Sequence, residues 1–294
     1  MTAGPDTGGV LDPAPGQIMV AGDWHGNQYW AQNVIQRVPQ LLSGEPRRVL
    51  LHLGDFGIWP GAEGRRYLSM VSAALDQVNA ELWFIDGNHE DFGQLAELAS
   101  STPPNQRVLV RPHIFHLPRG HRWIWHGRTW LACGGGVSLD RAARTEGQDW
   151  WPEEEITCEQ AAAIIDRGHA DVMVCHDCPA GVAHTFGRPP SWWAAADLAR
   201  NQAHRERLQL IVDALRPTHL MHGHLHRSYQ SSCDFGAGPV QVTGLCDDGR
   251  LDNFAVLDTA SMSWRLRRRG LLDLSRSSNS LMRNGRPGDS YRPR

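Results

Sequence analysis

The sequence predicts an α/β domain whose parallel strands deliver polar side chains to one shared edge. Two observations carry this. Three apolar runs of strand length each end in a Gly-bounded polar loop and are followed by a helix-length stretch, at a spacing of about 33 residues. Two later apolar runs end in histidine. Strand–loop–helix repetition implies right-handed crossovers and parallel pairing, and the carboxyl ends of such strands are where open α/β sheets bind ligands.

In chain order, residues 1–16 carry Gly, Pro, Asp and Thr without periodicity and are expected to be disordered. Order is expected from Gln17. Ile18-Met19-Val20-Ala21 reads as a buried strand opening into Gly22-Asp23-Trp24-His25-Gly26-Asn27, with a helix over Tyr29 to Leu42. Val49 to Leu53 is a second strand, ending in Gly54-Asp55-Phe56-Gly57, with a helix near Gly64 to Asn79. Leu82 to Ile85 is a third, ending in Asp86-Gly87-Asn88-His89-Glu90, with a helix near Asp91 to Ala99. From Val108 to Cys133 four short β segments with turn signals (108–110, 114–117, 123–125, 129–133) read as the crossing into a second sheet.

The segment from Gly134 to Glu155 is a loop rich in Arg, Trp and acid. A helix from Glu155 to Arg167 leads to a strand at Val172 to Cys175 that ends at His176, and a long helix over Trp192 to Leu215 precedes the strand entered at Pro217 to Leu220. Segments 227–232, 240–244, 254–258 and 262–267 read as antiparallel strands. The tail over 270–294, rich in Ser, Arg, Asn, Gly and Pro, is expected to be disordered.

Composition bounds the chemistry. With 294 residues and 41% hydrophobic content the chain suits one large domain with a real core. All 29 basic residues are Arg, which excludes a Lys nucleophile, a Schiff base and a P-loop lysine. Net charge is −3, but residues 265–294 hold nine Arg against Asp273 and Asp289, so the body carries −10. That basic tail could track nucleic acid or simply solubilise. Cys175 and Cys178 have C-x-x-C spacing with no second pair to complete a zinc knuckle, so the six Cys read as free thiols in a reducing cytosol. No signal peptide and no membrane span is indicated, and a cytoplasmic location is expected.

The strand ends collect Asp23, His25, Asp55, Asn88, His89, His176, His224 and His226. Each alone has an ordinary role: an Asp can cap a helix, an Asn can take a turn's positive φ, a single His can be a hydrogen-bonded core residue. Together, after apolar runs expected to lie side by side, they point to a metal site, because imidazole and carboxylate are the usual ligands of first-row divalent ions. His222 reads as packing or support for a ligand. Trp24, between two of these residues, reads equally as a wall of the site or a core aromatic. Arg141 and Arg144 read as a bidentate phosphate clamp or as surface ion pairs.

Asp23-Trp24-His25, Gly54-Asp55, Gly87-Asn88-His89-Glu90, His176 and Gly223-His224-Leu225-His226 resemble, in order, the signature of the calcineurin-like metallophosphoesterase superfamily. Ser138-Leu139-Asp140-Arg141, Trp150 to Glu154 and His176-Asp177-Cys178-Pro179 are similar to a bacterial and phage-type subgroup. The resemblance implies a four-layer α/β/β/α sandwich of two mixed β-sheets flanked by helices, over 17–269. It implies one divalent ion held by Asp23, His25, Asp55 and His226, and a second by Asp55, Asn88, His176 and His224. Asp55 would bridge, a hydroxide between the ions would attack phosphorus, and His89 would donate a proton to the leaving oxygen. Mn²⁺ is the expected activator in vitro, with Fe, Zn or Ni possible.

The leading reading of the activity is hydrolysis of a phosphodiester in a nucleotide-derived substrate, with a nucleotide or nucleic acid as the expected partner. Two other readings are a phosphomonoesterase or protein phosphatase, and a non-catalytic binding scaffold. The Ser/Thr protein phosphatases carry a phosphate-contacting Arg after their second block, and Asp55-Phe56-Gly57-Ile58-Trp59 has none. Scaffolds related to this superfamily have typically lost ligands, and every ligand position is filled here.

Overall fold

The computed structural model describes residues 13–182 and 192–265. The chain runs β1 (Gln17–Ala21), α1 (Gln28–Ile35), α2 (Val38–Leu41), β2 (Arg48–His52), α3 (Gly61–Gln77), β3 (Ala80–Phe84), α4 (Phe92–Ser100), β4 (Val108–Arg111), β5 (Ile114–His116), β6 (Arg122–Trp125) and β7 (Arg128–Cys133). After two 3-10 turns come α5 (Cys158–Asp166), β8 (Val172–Cys175), α6 (Ala195–Leu215), β9 (His219–His222), β10 (Tyr229–Asp234), β11 (Pro239–Gly244), β12 (Phe254–Asp258) and β13 (Trp264–Arg265).

Two sheets form, in the orders β13-β12-β1-β2-β3-β5-β4 and β10-β11-β9-β8-β7-β6. Each has four parallel strands at its centre, β1-β2-β3-β5 in one and β11-β9-β8-β7 in the other, with antiparallel strands at the edges. Period-two alternation sorts the side chains into layers. Met19 and Ala21 of β1 pack with α1 and α3, while Ile18 and Val20 pack with Trp130, Val172 and Met221 of the other sheet. The far face of that sheet (Leu131, Met173, Leu220) packs with α5 and α6 through Ile164, Leu208 and Leu215. Three cores between four layers make the α/β/β/α sandwich. Four of the twelve tryptophans (Trp83, Trp123, Trp125, Trp130) pack against one another, mostly edge-on, at the inter-sheet core.

Several expectations shift. β4 and β5 stay in the first sheet, β5 pairing parallel with β3, so the crossing to the second sheet falls between β5 and β6. The helix expected over Tyr29 to Leu42 breaks at Gln36–Arg37, and Pro39 takes the first turn of α2, where its missing N–H costs nothing. β11 is antiparallel to β10 but parallel to β9. The carbonyls of Pro15 and Gly16 accept from the Thr259 hydroxyl, tying the chain down just before β1. Residues 1–12 of the expected N-terminal segment and the 270–294 tail lie outside the described residues. No helix among the described residues is long and apolar enough to cross a membrane.

Candidate metal centre

Five strand ends converge. Asp23 and His25 follow β1, Asp55 follows β2, Asn88 and His89 follow β3, His176 follows β8, and His224 and His226 follow β9. Three groups of ligand atoms lie within 4.8 Å of one another: Asp23, His25 and His226; His25, Asp55 and His89; and Asp55, His176 and His224. Asp55 shares its carboxylate, with Oδ2 3.4 Å from His25 Nε2 and Oδ1 3.4 Å from His176 Nε2. Asp23 Oδ2 lies 3.1 Å from His226 Nε2, and Asn88 Oδ1 lies 3.1 Å from His176 Nε2. His25, Asp55, His224 and His226 all adopt positive φ (45°, 52°, 61° and 52°). Such backbone costs non-glycine residues on the order of 1–3 kcal/mol each and gathers at functional sites.

The imidazoles are aimed from behind. His25 Nδ1 faces Asp248 Oδ1 at 3.4 Å, His226 Nδ1 faces Asp247 Oδ2 at 3.4 Å, and His176 Nδ1 donates to the Leu53 carbonyl at 2.8 Å. With Nδ1 so engaged, each Nε2 faces inward, the arrangement that fixes tautomer and orientation in metal-binding histidines once the ring is deprotonated. Glu90 staples two of the loops, its carboxylate accepting from the amides of Phe56 at 2.6 Å and Gly87 at 2.6 Å. Sequence reasoning gave no role to Asp247, Asp248 or Glu90. The signal for the first two was present: Val240 to Leu245 is another strand-length segment, with apolar residues at 240, 242 and 245, and it empties into Cys246-Asp247-Asp248-Gly249.

Electrostatics follow from this crowding. Burial opposes ionisation of Asp23, but the His226 hydrogen bond and the nearby His176 charge outweigh it and hold the carboxyl at about 2. Burial would lower His176, yet the Asp55 carboxylate raises it to about 10. His25 is raised against burial by its contacts with Asp248 and Asp55. His89 goes the other way, burial pulling it down to about 3. Burial, reinforced by the Asp55 charge, pushes Glu90 up to about 8.

The remaining expected site residues are held by other partners, although the Arg144 charge is near enough to His89 to lower it, behind the larger effect of burial. Trp24 is fully buried in the core between the first sheet and its helices, edge-on to His52 with its Nε1 donating to Asn253, so it forms no wall of the site. Its neighbours Asp23 and His25 take the ligand side, and alternation sends the indole to the other. Arg144 is bidentate to Asp140 at 2.8 and 2.6 Å, and Arg141 donates to Asp197 at 2.9 Å while lying over Trp150. Both guanidinium groups are engaged with carboxylates. His222 is buried and hydrogen-bonded to the Tyr229 hydroxyl, a packing role.

The profile of the calcineurin-like phosphoesterase family matches residues 16–228, well over half of the chain, and the protein belongs to that family. No curated protein matches it significantly in sequence. Among solved structures, TT1561 of Thermus thermophilus is similar at 14% identity, with a TM-score of 0.50 over 85% of this chain and 97% of that one. GAP50, the anchor in the inner membrane complex of Plasmodium, matches at 11% identity and a TM-score of 0.43, over 83% of this chain and 80% of that one. The likeness to TT1561 is one of fold.

Proposed function

We propose that this chain is a two-metal phosphodiesterase, with nucleotide-derived substrates the preferred class. The observation that carries the reading is Asp55, whose two oxygens each face a separate histidine. Two like-charged ions held about 3.5–4 Å apart need a shared anionic ligand, and Asp55 is placed to be one. The donor set fits such ions: Asp23, His25, Asp55 and His226 would hold one, and Asp55, Asn88, His176 and His224 the other. Asn88 adds an oxygen without adding charge. When bound, the ions supply positive charge to the phosphoryl oxygens and activate the attacking water. Mn²⁺ is the activator we expect in vitro, since a mixed N/O set accepts several divalent ions.

His89 stands beside the Asp55 carboxylate, its Nε2 4.0 Å from Oδ2. Burial keeps its imidazole neutral before substrate arrives. A phosphoester anion beside the ring raises its proton affinity, and the ring N–H then faces the leaving oxygen as donor and general acid.

The preference for diesters rests on charge. A monoester dianion gains from cations beyond the two ions. Here Arg141 and Arg144 are paired with Asp197 and Asp140, and Asp55 is followed by no Arg. A monoanionic diester needs less. The test compares kcat/KM for bis-p-nitrophenyl phosphate and p-nitrophenyl phosphate with Mn²⁺ at one pH. A monoester preference that vanishes in Arg144→Ala or Arg141→Ala would overturn the assignment and give those residues the clamp. Six free thiols, four of them buried, suit a reducing compartment, and we place the protein in the cytoplasm.

A further inference from the structure

The loop from Gly134 to Glu155 has so far no part in the chemistry, although it presses on the candidate centre. A Cβ added at Gly136 would meet Asn88 Oδ1 and His176 Cδ2 at 3.1 Å each. Two residues further on, the Ser138 hydroxyl sits between Asn88 and Glu154. Asn88 Nδ2 donates to Ser138 Oγ at 3.1 Å, and Ser138 Oγ donates to Glu154 Oε2 at 2.6 Å. The Ser138 amide donates to Glu154 Oε1 at 3.1 Å, and Arg200 Nη2 reaches the same oxygen at 3.3 Å. Asn88, Ser138 and Glu154 are all buried.

We propose that Ser138 and Glu154 are positioning residues that lock the Asn88 amide with its carbonyl oxygen turned toward Asp55, His176 and His224. The argument is one of donor and acceptor counting. An ionised carboxylate only accepts, and a hydroxyl carries a single proton. Glu154 takes that proton, so toward Asn88 the Ser138 oxygen can only accept, and the Asn88 atom facing it has to be the NH₂. The Asn88 oxygen is thereby left on the opposite side, 3.1 Å from His176 Nε2. A flipped amide would present N–H groups there and offer an ion no lone pair. A neutral side-chain amide has little intrinsic preference between its two ends, so the loop supplies it.

The inference rests on the two-ion reading above, and its test separates the two. Glu154→Gln is the informative variant because it preserves shape while reversing polarity. The Ser138 amide and Arg200 both require an oxygen at the Oε1 position, so the new NH₂ falls opposite Ser138 Oγ and donates to it. The Ser138 proton then turns to Asn88 and favours the flipped amide. Burial pushes Glu154 up to about 7, so the measurement belongs at pH 8, where the carboxylate is ionised.

Mn²⁺ is titrated calorimetrically into the chelator-treated full-length protein and into Ser138→Ala, Glu154→Gln, Asn88→Ala and the two double variants that combine Asn88→Ala with each. The wild type is expected to take two ions. Ser138→Ala and Glu154→Gln should each weaken one ion about 10–100-fold, the range for lost supporting contacts, and leave the other unchanged. In the Asn88→Ala background neither should cause further loss. Should Ser138→Ala melt, Glu154→Gln decides alone. Unchanged affinities in Glu154→Gln, or a loss of equal size in the Asn88→Ala background, would overturn the relay while the two-ion reading stands. A wild type that binds fewer than two ions would overturn both.

Discussion

The backbone N–H of His89 donates to Asp55 Oδ1 at 2.9 Å, while the His89 ring Nε2 stands 4.0 Å from Oδ2 of the same carboxylate. One residue thus fixes the orientation of the shared ligand and presents an imidazole beside it. The amide bond also decides what Asp55→Asn does. The retained oxygen must stay on the His89 amide, so the NH₂ replaces Oδ2, the atom that faces His25. The variant should bind fewer than two ions and lose more than the roughly 100-fold that marks the upper range for a supporting contact. Elemental analysis beside turnover of bis-p-nitrophenyl phosphate checks both, and two retained ions with near-native rate would remove the bridging role.

His89→Ala should keep both ions and lower kcat by about 10²–10⁴-fold for a poor leaving group, less for an activated one. His89 also belongs to a group within reach of an ion, with His25 and Asp55. Metal analysis of the variant discriminates: a missing ion would make His89 a ligand, and an equal loss for both leaving groups would remove the general acid.

Asp248 and Asp247 hold Nδ1 of His25 and His226, both on the Asp23 side of the centre. Asp248→Ala and Asp247→Ala should therefore each weaken one ion about 10–100-fold. That ion should be the one left untouched by Ser138→Ala. Competition titration with a chromophoric chelator reads the affinity, and unaltered binding in both variants would show that ring packing suffices to aim the histidines.

The edge that carries the candidate centre was legible because parallel strands with two buried faces make long apolar runs, and whatever follows such a run lands at one edge. Asp23, Asp55, Asn88, His176 and His224 all obeyed that rule. Sheet membership was not legible: Ile114 to His116 has the same pattern in either sheet, and only its pairing with β3 assigns it. Trp24 could be read either way, as a wall of the site or as a core aromatic, and alternation across the strand end sends it into the core. Ser138 and Glu154 lie within the subgroup motifs yet carried no role, since a hydrogen-bonded relay depends on donor direction in space, which spacing along the chain does not encode.

The centre should release protons when it loads. With no ion bound, burial opposes the charged form of His176, but the Asp55 carboxylate overrides it and raises the ring to about 10, and His25 and His226 are raised as well. His176 is thus protonated at neutral pH and the other two rings are biased toward the protonated form, whereas a ligating imidazole must be neutral. Mn²⁺ affinity should thus rise with pH, and calorimetry in two buffers of different ionisation enthalpy should return a positive proton release. Stability should run the other way in the chelated protein. His176 has a folded value above its unfolded 6.5, so its contribution is fully present below that pH and is lost as pH rises through about 10. Glu90 adds in the same sense: burial raises it from 4.5 to about 8, so the fold favours its protonated form and loses stability as pH climbs between those values. The Tm of chelated protein should fall from pH 6.5 towards 10 while the stabilisation conferred by Mn²⁺ grows. A constant Mn²⁺-induced shift in Tm across that range would mean the histidines are already neutral before the ions arrive.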